Sequence, residues 1–363
     1  MAPLVYELKK HPEIDCKVCV TAQHRQMLDM VLDLFRITPD FDLDIMQERQ
    51  TLAGITTRAL AGLEEVFRRE KPDLVLVHGD TTTTFAGALA AYYNQVKVGH
   101  VEAGLRTGDK YFPFPEEMNR KLTGAIADLH FSPTVNNRAN LLREGVNPER
   151  IFVTGNTVID AFHTTIKPDF SFEGTPLEGR DWNKRVLLMT AHRREHLGEP
   201  LYNICRAAAR IVRDFPDVEL VYPVHLNPVV QDTAREILGS IPRAHLVDPL
   251  DVDVLHNAMS RCCMVMTDSG GLQEEAPALG KPVLVLRGET ERPEAAEAGT
   301  VKIAGVQEEV IYALASQLLT DEAEYLKMSH AVNPYGDGNA SRRIAEAILY
   351  HFGIREEAPS QWL

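Results

Sequence analysis

The chain has 363 residues, of which 44% are hydrophobic and 25% are charged, the balance of a folded protein too long for one hydrophobic core. Its 38 Lys and Arg against 52 Asp and Glu give a formal net charge of −14, which argues against nucleic acid as a partner. No apolar run approaches the ~20 residues that a bilayer span needs, so no membrane partner is expected. The opening MAPLVYELKK lacks the pattern of an export signal, and we expect a cytoplasmic protein.

The five cysteines are too few, and odd in number, for a disulfide framework. Cys16 and Cys19 form a C-x-x-C in a stretch with strand character. Strand alternation places them on opposite faces, whereas redox pairs of this spacing lie at helix starts. A redox role is therefore disfavoured, and the adjacent Cys262 and Cys263 are predicted to be core residues.

Short apolar runs recur along the chain, each followed by a polar turn and a helical stretch. Buried runs of this length and spacing are typical of parallel strands covered on both faces. The sequence therefore predicts an α/β protein with doubly wound sheets. The strands are predicted at 17–21, 74–78, 96–101, 129–132, 151–154, 186–190, 219–222, 245–247, 264–267 and 283–286.

One segment interrupts this alternation. Residues 167–184 are rich in Pro, Gly and charge, and they are predicted to link an N-terminal Rossmann-like domain at 1–166 to a C-terminal one at 185–337. An amphipathic helix within 338–363 is expected to pack back on the first domain. Ligands of doubly wound sheets bind at the carboxyl ends of the strands, so the functional groups are sought there.

Three carboxylates follow successive elements of the first half. Asp80 comes after the strand at 74–78, where it is predicted to cap a helix that opens with four threonines. Glu102 ends the next strand, where a buried charge needs an arginine partner or a catalytic purpose. Glu116 and Arg120 share a helix face, which taken alone indicates an exposed ion pair. Together the three acids favour a catalytic cluster.

The second half carries groups suited to a phosphate. The string DSGG at 268–271 follows a strand, and glycines at such a turn let a phosphate approach the first amides of a helix. The pattern is neither G-x-G-x-x-G nor a Walker loop, so it specifies neither a dinucleotide nor ATP. Glutamates at 274 and 275 either bind ribose hydroxyls or favour the helix dipole.

The string HRREH at 192–196 matches the inverted zinc-protease pattern H-x-x-E-H. It follows a strand directly instead of lying within a helix, and its two arginines suit a diphosphate better than a divalent cation. No metal ligand is therefore predicted. Arg287 and Arg292 follow another strand and add cationic charge at the same edge.

Nine strings along the chain carry a resemblance to a known family. They are VHGDTTTT (77–84), GHVEAGLRT (99–107), PEEMNR (115–120), HFSPT (130–134), VTGNTVIDA (153–161), TAHRRE (190–195), YPVHLNP (222–228), TDSGGLQEEAPALGKPVLVLR (267–287) and ERPEA (291–295). In chain order and over nearly the whole sequence, they resemble the non-hydrolysing UDP-N-acetylglucosamine 2-epimerases. The resemblance implies two Rossmann-like domains facing across a cleft in the glycosyltransferase-B arrangement, a homodimer, and no metal or nicotinamide cofactor. It also implies interconversion of UDP-GlcNAc and UDP-ManNAc for surface polysaccharides.

The family reaction expels UDP from C1 with loss of the C2 proton, gives 2-acetamidoglucal, and adds UDP back after protonation on the other face. Which carboxylate serves which face stays open. By resemblance, the acid/base carboxylates are Asp80, Glu102 and Glu116, with Arg120 orienting them, and His192 touches the diphosphate or the sugar. Ser269, Gly270 and Gly271 would bind phosphate, Glu275 the ribose and Arg292 the diphosphate.

Many bacterial members of the family are also activated by UDP-GlcNAc at a second site. The resemblance therefore implies sigmoidal dependence on substrate. The matching positions are Gln23, His24, Gln26, Arg49 and Arg193.

The sequence departs from the family in two places. Family members carry a strand and the loop G-T-R-P-E-A-I-K ahead of M-A-P, which here is residues 1–3. That strand is central, between those at 17–21 and 74–78, so we expect an open slot there and a chain less stable and less active than one extended upstream. Leu255 stands where the family commonly has aromatics near the uracil, so weaker binding of the base is expected.

Three other functions stay open. A hydrolysing relative would release UDP and free ManNAc. A glycosyltransferase of the same fold would need an acceptor and would leave the three carboxylates unexplained. A catalytically silent sugar-nucleotide sensor would bind UDP-GlcNAc without turnover.

Overall fold

The computed structural model describes residues 1–290 and 292–362. The chain divides into an N-terminal unit, Met1–Ala161 with the segment that begins at Tyr335, and a C-terminal unit, Phe162–Pro334. Among these residues no helix combines the length and apolar character needed to cross a membrane.

All paired strands run parallel, and most begin and end within two residues of the predicted limits. Two short strands, β2 and β12, were not predicted because each spans only two or three residues. The strands are β1 (Cys19–Val20), β2 (Phe41–Asp42), β3 (Leu74–His78), β4 (Lys97–Val101), β5 (Leu129–Ser132), β6 (Ile151–Val153), β7 (Arg185–Thr190), β8 (Val218–Pro223), β9 (Ala244–Val247), β10 (Met264–Thr267), β11 (Val283–Val285) and β12 (Val301–Ile303).

Helices follow most strands, as the alternating pattern predicts. They are α1 (Ala2–Leu8), α2 (Arg25–Leu34), α3 (Leu52–Glu70), α4 (Thr82–Tyr93), α5 (Glu116–Ile126), α6 (Val135–Arg143), α7 (Thr157–Asp160), α8 (Phe162–Thr165), α9 (Glu199–Asp214), α10 (Pro228–Leu238), α11 (Val252–Arg261), α12 (Leu272–Ala278), α13 (Pro293–Glu297), α14 (Glu308–Thr320), α15 (Glu322–Ser329) and α16 (Ala340–His351).

The N-terminal unit contains two separate sheets. Strands β3-β4-β5-β6 form a four-stranded sheet with β3 at one edge, while β1 and β2 pair only with each other in the part of the chain described. Cys19 of β1 packs in the same apolar cluster as Val75 and Val77 of β3, so both sheets contact one layer formed by α3 and α4. Cys16 instead joins the cluster of Leu4 and Phe131 on the other face. The two cysteines thus face different cores, and burial raises the pKa of Cys19 to about 11.

The C-terminal unit has one continuous sheet in the order β12-β11-β10-β7-β8-β9. This is the strand order of a Rossmann fold, and its direction reverses between β7 and β10. Helices α9, α10 and α14 cover one face, where Leu187, Ile204 and Ile311 are fully buried. The predicted α/β class with two Rossmann-like domains is confirmed.

Residues 167–184, predicted as a linker, are part of the C-terminal unit. Phe172 stacks on Trp182 with ring centroids 4.6 Å apart, and Leu177 is fully buried. Arg261 of α11 donates a hydrogen bond to the carbonyl of Phe170. The segment is therefore packed through its own apolar side chains and joined to α11, which its Pro- and Gly-rich composition did not indicate.

The last helix, α16, belongs to the N-terminal unit. The Asp160 carboxylate accepts hydrogen bonds from the backbone amides of Ala340 and Ser341, at 3.1 and 2.8 Å, and so satisfies the first turn of the helix. Ile344 and Ile348 then pack against the four-stranded sheet in the cluster that contains Phe131.

Candidate active site

Asp80, which follows β3, is held by an arginine from α5. Nε and Nη2 of Arg120 lie 2.9 and 2.7 Å from Oδ2 of Asp80, and Asn119 donates to the Asp80 carbonyl. Asp80 is therefore not the N-cap that the sequence predicted. Thr81 caps α4 instead, with its Oγ1 accepting a hydrogen bond from the Thr84 amide at 3.2 Å. The Asp80 carboxylate is bound to Arg120, and Thr81, the next residue, caps the helix instead.

Glu102, which follows β4, has a left-handed backbone with φ +63°. A residue with a Cβ adopts this conformation at a cost of about 1–3 kcal/mol, and such strain is concentrated at functional sites. Its Oε2 lies 3.4 Å from Nε2 of His78. Burial lowers the pKa of His78 to about 3, so this histidine is neutral near pH 7. The prediction that Glu102 ends a buried strand agrees with the structure.

Two further histidines support the loop that carries Asp80. Nε2 of His100 lies 2.7 Å from the carbonyl oxygen of Gly79, and His130 is its direct neighbour on β5. Burial lowers the pKa of each to about 4. His100 is therefore neutral and donates its Nε2 proton to Gly79, which fixes the peptide just before Asp80.

Arg120 pairs with Glu117 as well as with Asp80. Nη1 of Arg120 lies 3.3 Å from Oε2 of Glu117, whose carboxylate is fully buried and also accepts the amides of Thr107 and Gly108. Glu116 is half-buried in the first turn of the same helix. The sequence indicated a pair between Glu116 and Arg120, but both glutamates lie at helical spacing from the arginine, and only tertiary packing distinguishes them.

Of the positions assigned to a second site, Gln23 is bonded to residues of other segments. Oε1 of Gln23 accepts a hydrogen bond from Thr83 of α4 at 2.6 Å, and Gln50 donates to the Gln23 carbonyl. The other three residues of this set in the N-terminal unit have exposed side chains, and the fifth residue, Arg193, lies in the C-terminal unit. The exposed three are His24, Gln26 and Arg49.

In the C-terminal unit, a buried aspartate joins the loops that follow β7 and β10. These strands flank the reversal of strand order, where doubly wound sheets bind ligands. Oδ2 of Asp268 accepts the backbone amides of His192 and Arg193 at 2.8 and 2.9 Å. Oδ1 lies 3.4 Å from Nδ1 of His192. The side chain of His192 is 40% exposed, so it is accessible at the strand end.

The string HRREH does not lie on an α-helix. Arg194–His196 forms one turn of 3-10 helix, and Nδ1 of His196 faces Asp268 at 3.3 Å. In the described residues no group of three or more His, Cys, Asp or Glu is arranged to hold a metal ion.

The glycine turn after β10 lies against an arginine. A Cβ at Gly270 would come within 2.4 Å of Nη1 of Arg292, so this position admits the guanidinium only because it is a glycine. Nε of Arg292 pairs with the buried carboxylate of Glu274, and the Ser269 amide donates to Thr267 Oγ1. Gly270 and Arg292, predicted to bind one diphosphate, are therefore neighbours.

Glu275 lies beside Gly271 and faces α11. A Cβ at Gly271 would lie 3.3 Å from Oε1 of Glu275, and the other carboxylate oxygen is 3.4 Å from Nε2 of His256. Nδ1 of His256 pairs with Thr165 at 2.7 Å. Leu255, the residue before this histidine, is half-buried. Sequence reasoning missed His256, although it lies in the segment singled out for Leu255.

Comparison with known proteins assigns the family. Residues 6–349 match the family described as UDP-N-acetylglucosamine 2-epimerase. A Bacillus subtilis protein named UDP-N-acetylglucosamine 2-epimerase is 62% identical over 362 residues, which are 100% of this chain and 94% of that protein.

Solved structures of similar proteins match this chain over nearly its whole length. A Staphylococcus aureus protein solved with UDP is 49% identical with a TM-score of 0.90, and the match covers 100% of this chain and 96% of that one. A Neisseria meningitidis UDP-GlcNAc 2-epimerase bound to UDP-GlcNAc is 47% identical with a TM-score of 0.88, covering 96% and 95%.

The fold and the match together define a sugar-nucleotide isomerase with two Rossmann-like units. The chain belongs to the UDP-N-acetylglucosamine 2-epimerase family, as its motifs predicted.

Proposed function

We propose that the chain interconverts UDP-GlcNAc and UDP-ManNAc by eliminating UDP to 2-acetamidoglucal and adding it back. The observation that carries this proposal is the carboxylate of Asp80, held by two nitrogens of Arg120 at the end of β3. Such a carboxylate is fixed in direction, which a general base needs. The UDP and UDP-GlcNAc bound to the S. aureus and N. meningitidis relatives support the choice of substrate.

The N-terminal unit supplies the acid/base groups in this proposal. Asp80, Glu102 and Glu116 are the candidates that deprotonate and reprotonate C2, and Arg120 orients Asp80. His78, whose Nε2 lies 3.4 Å from Oε2 of Glu102, is neutral near pH 7.

The C-terminal unit supplies the diphosphate groups. His192 and Arg292 present cationic or hydrogen-bonding atoms, and Gly270 and Gly271 present backbone amides without Cβ obstruction. Glu275 is assigned to the ribose hydroxyls. Stabilising UDP as a leaving group lowers the barrier because the charge on its β-phosphate grows as the C1–O bond breaks.

The test is proton NMR of UDP-GlcNAc incubated with the purified chain in D2O. We expect UDP-ManNAc to form and deuterium to enter C2 of both sugars. Free ManNAc with stoichiometric UDP would assign the hydrolysing reaction instead. Binding of UDP-GlcNAc with neither product nor exchange would assign a sensor and contradict the proposal.

A second UDP-GlcNAc site at Gln23, His24, Gln26, Arg49 and Arg193 is part of the proposal. The hydrogen bond from Thr83, in the helix that follows Asp80, to Gln23 supports a link between these residues and the loop of Asp80. We expect sigmoidal dependence on UDP-GlcNAc. A hyperbolic reverse reaction from UDP-ManNAc that needs no added UDP-GlcNAc would contradict it.

The homodimer and the cytoplasmic location stay predictions.

A further inference from the structure

We propose that Asp268 is a positioning residue for His192, because its carboxylate keeps a proton on Nδ1 of the ring and thereby directs Nε2 outward. The proposal rests on the function given above to His192. Its first readout is the tautomer of one ring, which is measured without turnover.

Asp268 is fully buried and its oxygen Oδ2 is saturated with donors. The backbone amides of His192 and Arg193 donate to it, and Nδ1 of His196 lies 3.3 Å away. Burial alone would raise the pKa of Asp268, but the contacts with His196, Arg193 and His192 hold it below its usual value. The group is therefore a carboxylate at neutral pH.

The other oxygen, Oδ1, has a different environment. It is buried and accepts no hydrogen bond within the described residues, and it lies 3.4 Å from Nδ1 of His192. An unprotonated Nδ1 would direct a lone pair at this anionic oxygen. A proton on Nδ1 replaces that repulsion with attraction, so the carboxylate selects the tautomer.

A second histidine fixes the plane of the ring and provides an internal reference. His225, in the loop after β8, stacks on His192 with centroids 5.4 Å apart and planes within 7°. The backbone amide of Asn227 donates to Nδ1 of His225 at 3.0 Å. That nitrogen therefore carries no proton, and His225 is neutral with its proton on Nε2. Two stacked rings are thus expected to hold opposite tautomers.

This arrangement has a consequence for the leaving diphosphate. With Nδ1 held against the carboxylate, Nε2 of His192 is directed outward, and when the ring carries both protons Nε2 donates to a phosphate oxygen. A buried aspartate acts on a catalytic histidine in the same way in hydrolytic triads, where it orients the ring and stabilises the imidazolium.

The experiment is a ¹⁵N–¹H long-range correlation spectrum of histidine-labelled protein, with the His192 signals assigned by His192→Gln. We expect His192 to be protonated at Nδ1 and His225 at Nε2. In Asp268→Asn the amide nitrogen faces the ring, so the His192 proton should move to Nε2 while His225 stays unchanged. Asp217→Asn, an exposed acid paired with Arg185 in the same unit, should change neither ring.

Turnover is the second readout. Removing the partner that orients a metal-ligating histidine lowers activity by about 10–100-fold. His192 binds no metal in this proposal, but Asp268 orients it in the same way, and we expect kcat of Asp268→Asn to fall by a similar factor. In the His192→Gln background the same substitution should lower kcat less than about twofold, because the two residues act as a unit. A full additional loss in that background would overturn the proposal.

The spectrum of the unmodified chain decides the tautomer even where Asp268→Asn fails to fold. A bare Nδ1 on His192 in that spectrum would overturn the inference. An unmodified chain without turnover but with Nδ1 protonated would contradict the proposed function and leave the positioning of the ring established.

Discussion

Both units carry functional groups at the carboxyl ends of parallel strands, but the sheets beneath them differ. Strands β7 and β10 lie in the middle of a continuous six-stranded sheet, and every residue of β10 is buried. Strand β3 is at the edge of a four-stranded sheet, and only Val77 among its five residues is buried. The group that follows β3 therefore depends on support from outside the sheet.

That support comes from side chains of other elements. Arg120 and Asn119 reach Asp80 from α5, and His100 holds the preceding Gly79 carbonyl. In the C-terminal unit one buried carboxylate, Asp268, holds backbone amides directly. The comparison indicates that the proposed acid/base loop is held by side chains of other elements, whereas the two loops of the proposed diphosphate site are joined to each other through Asp268.

The largest expected effect is on catalysis at the less supported strand. Asp80→Asn removes the carboxylate while it keeps the side chain's size, and general acid/base groups contribute about 10²–10⁴-fold. We expect kcat to fall by that factor in the UDP-GlcNAc exchange assay, with Tm nearly unchanged.

Asp73→Asn is the matched control, because Asp73 is exposed at the opposite end of the same strand. It should leave kcat unchanged. An Asp80→Asn variant that keeps more than a tenth of normal exchange would show that Asp80 is not the base.

The two sheets should also differ in stability when a leucine is shortened. Leu187→Ala in β7 removes a fully buried side chain and should cost about 2–5 kcal/mol. Leu76→Ala in β3 removes a half-buried one and should cost about 1–2 kcal/mol. Each unit holds one of the two tryptophans, Trp182 and Trp362, so Trp362→Phe and Trp182→Phe backgrounds report the units separately in urea.

A larger loss of stability from Leu76→Ala in the N-terminal unit than from Leu187→Ala in the C-terminal unit would contradict this comparison. Each substitution should shift the urea midpoint of its own unit only.

Acid should weaken the N-terminal unit first. The folded pKa of His100 and of His130 is about 4, below the unfolded value, so the unfolded chain binds protons before the folded one does. Their contribution is complete above an unfolded pKa of about 6.5 and is lost as the pH falls toward 4. As the pH falls from about 7.5 to 5.5, each histidine should lower the free energy of unfolding by about 1 kcal/mol.

The Trp362 signal should follow this loss, and the Trp182 signal should change less. His130→Gln should reduce the difference between the free energies of unfolding measured at the two pH values. An identical pH dependence in that variant would exclude His130 as its source.

The smallest effects separate strain from function. Lys71 ends α3 with φ +46°, and Glu102 has φ +63°. Glycine in either place relieves a conformation that disfavours a Cβ, and we expect a gain of about 0.5–1 kcal/mol. Lys71→Gly should keep full exchange activity, whereas Glu102→Gly should lose it. A loss of stability in both variants would show that the surrounding contacts outweigh the backbone strain.

Sequence reasoning located most strands because parallel strands buried on both faces leave continuous apolar runs. It could not locate β2, whose two residues carry no such run. It also placed Asp80 and His192 just after strands, where ligands bind in this fold, and the structure has both residues there.

What it missed depends on three-dimensional contacts. Glu116 and Glu117 are adjacent, and only the fold decides that Glu117 is the buried partner of Arg120. Asp268 belonged to a recognised string, but the two amides that it binds follow a different strand. The N-cap shifted from Asp80 to Thr81 for the same reason, because Arg120 is forty residues away in sequence.

The return of α16 has a consequence for biosynthesis. Residues 162–334 form one uninterrupted unit, whereas the other unit needs Ala340 and Ser341 against Asp160 and Ile344 in its core. Domains fold as they leave the ribosome, usually in chain order. The N-terminal unit cannot be completed until α16 has been made. We therefore expect the C-terminal unit to finish folding first, although most of the N-terminal unit is synthesised before it.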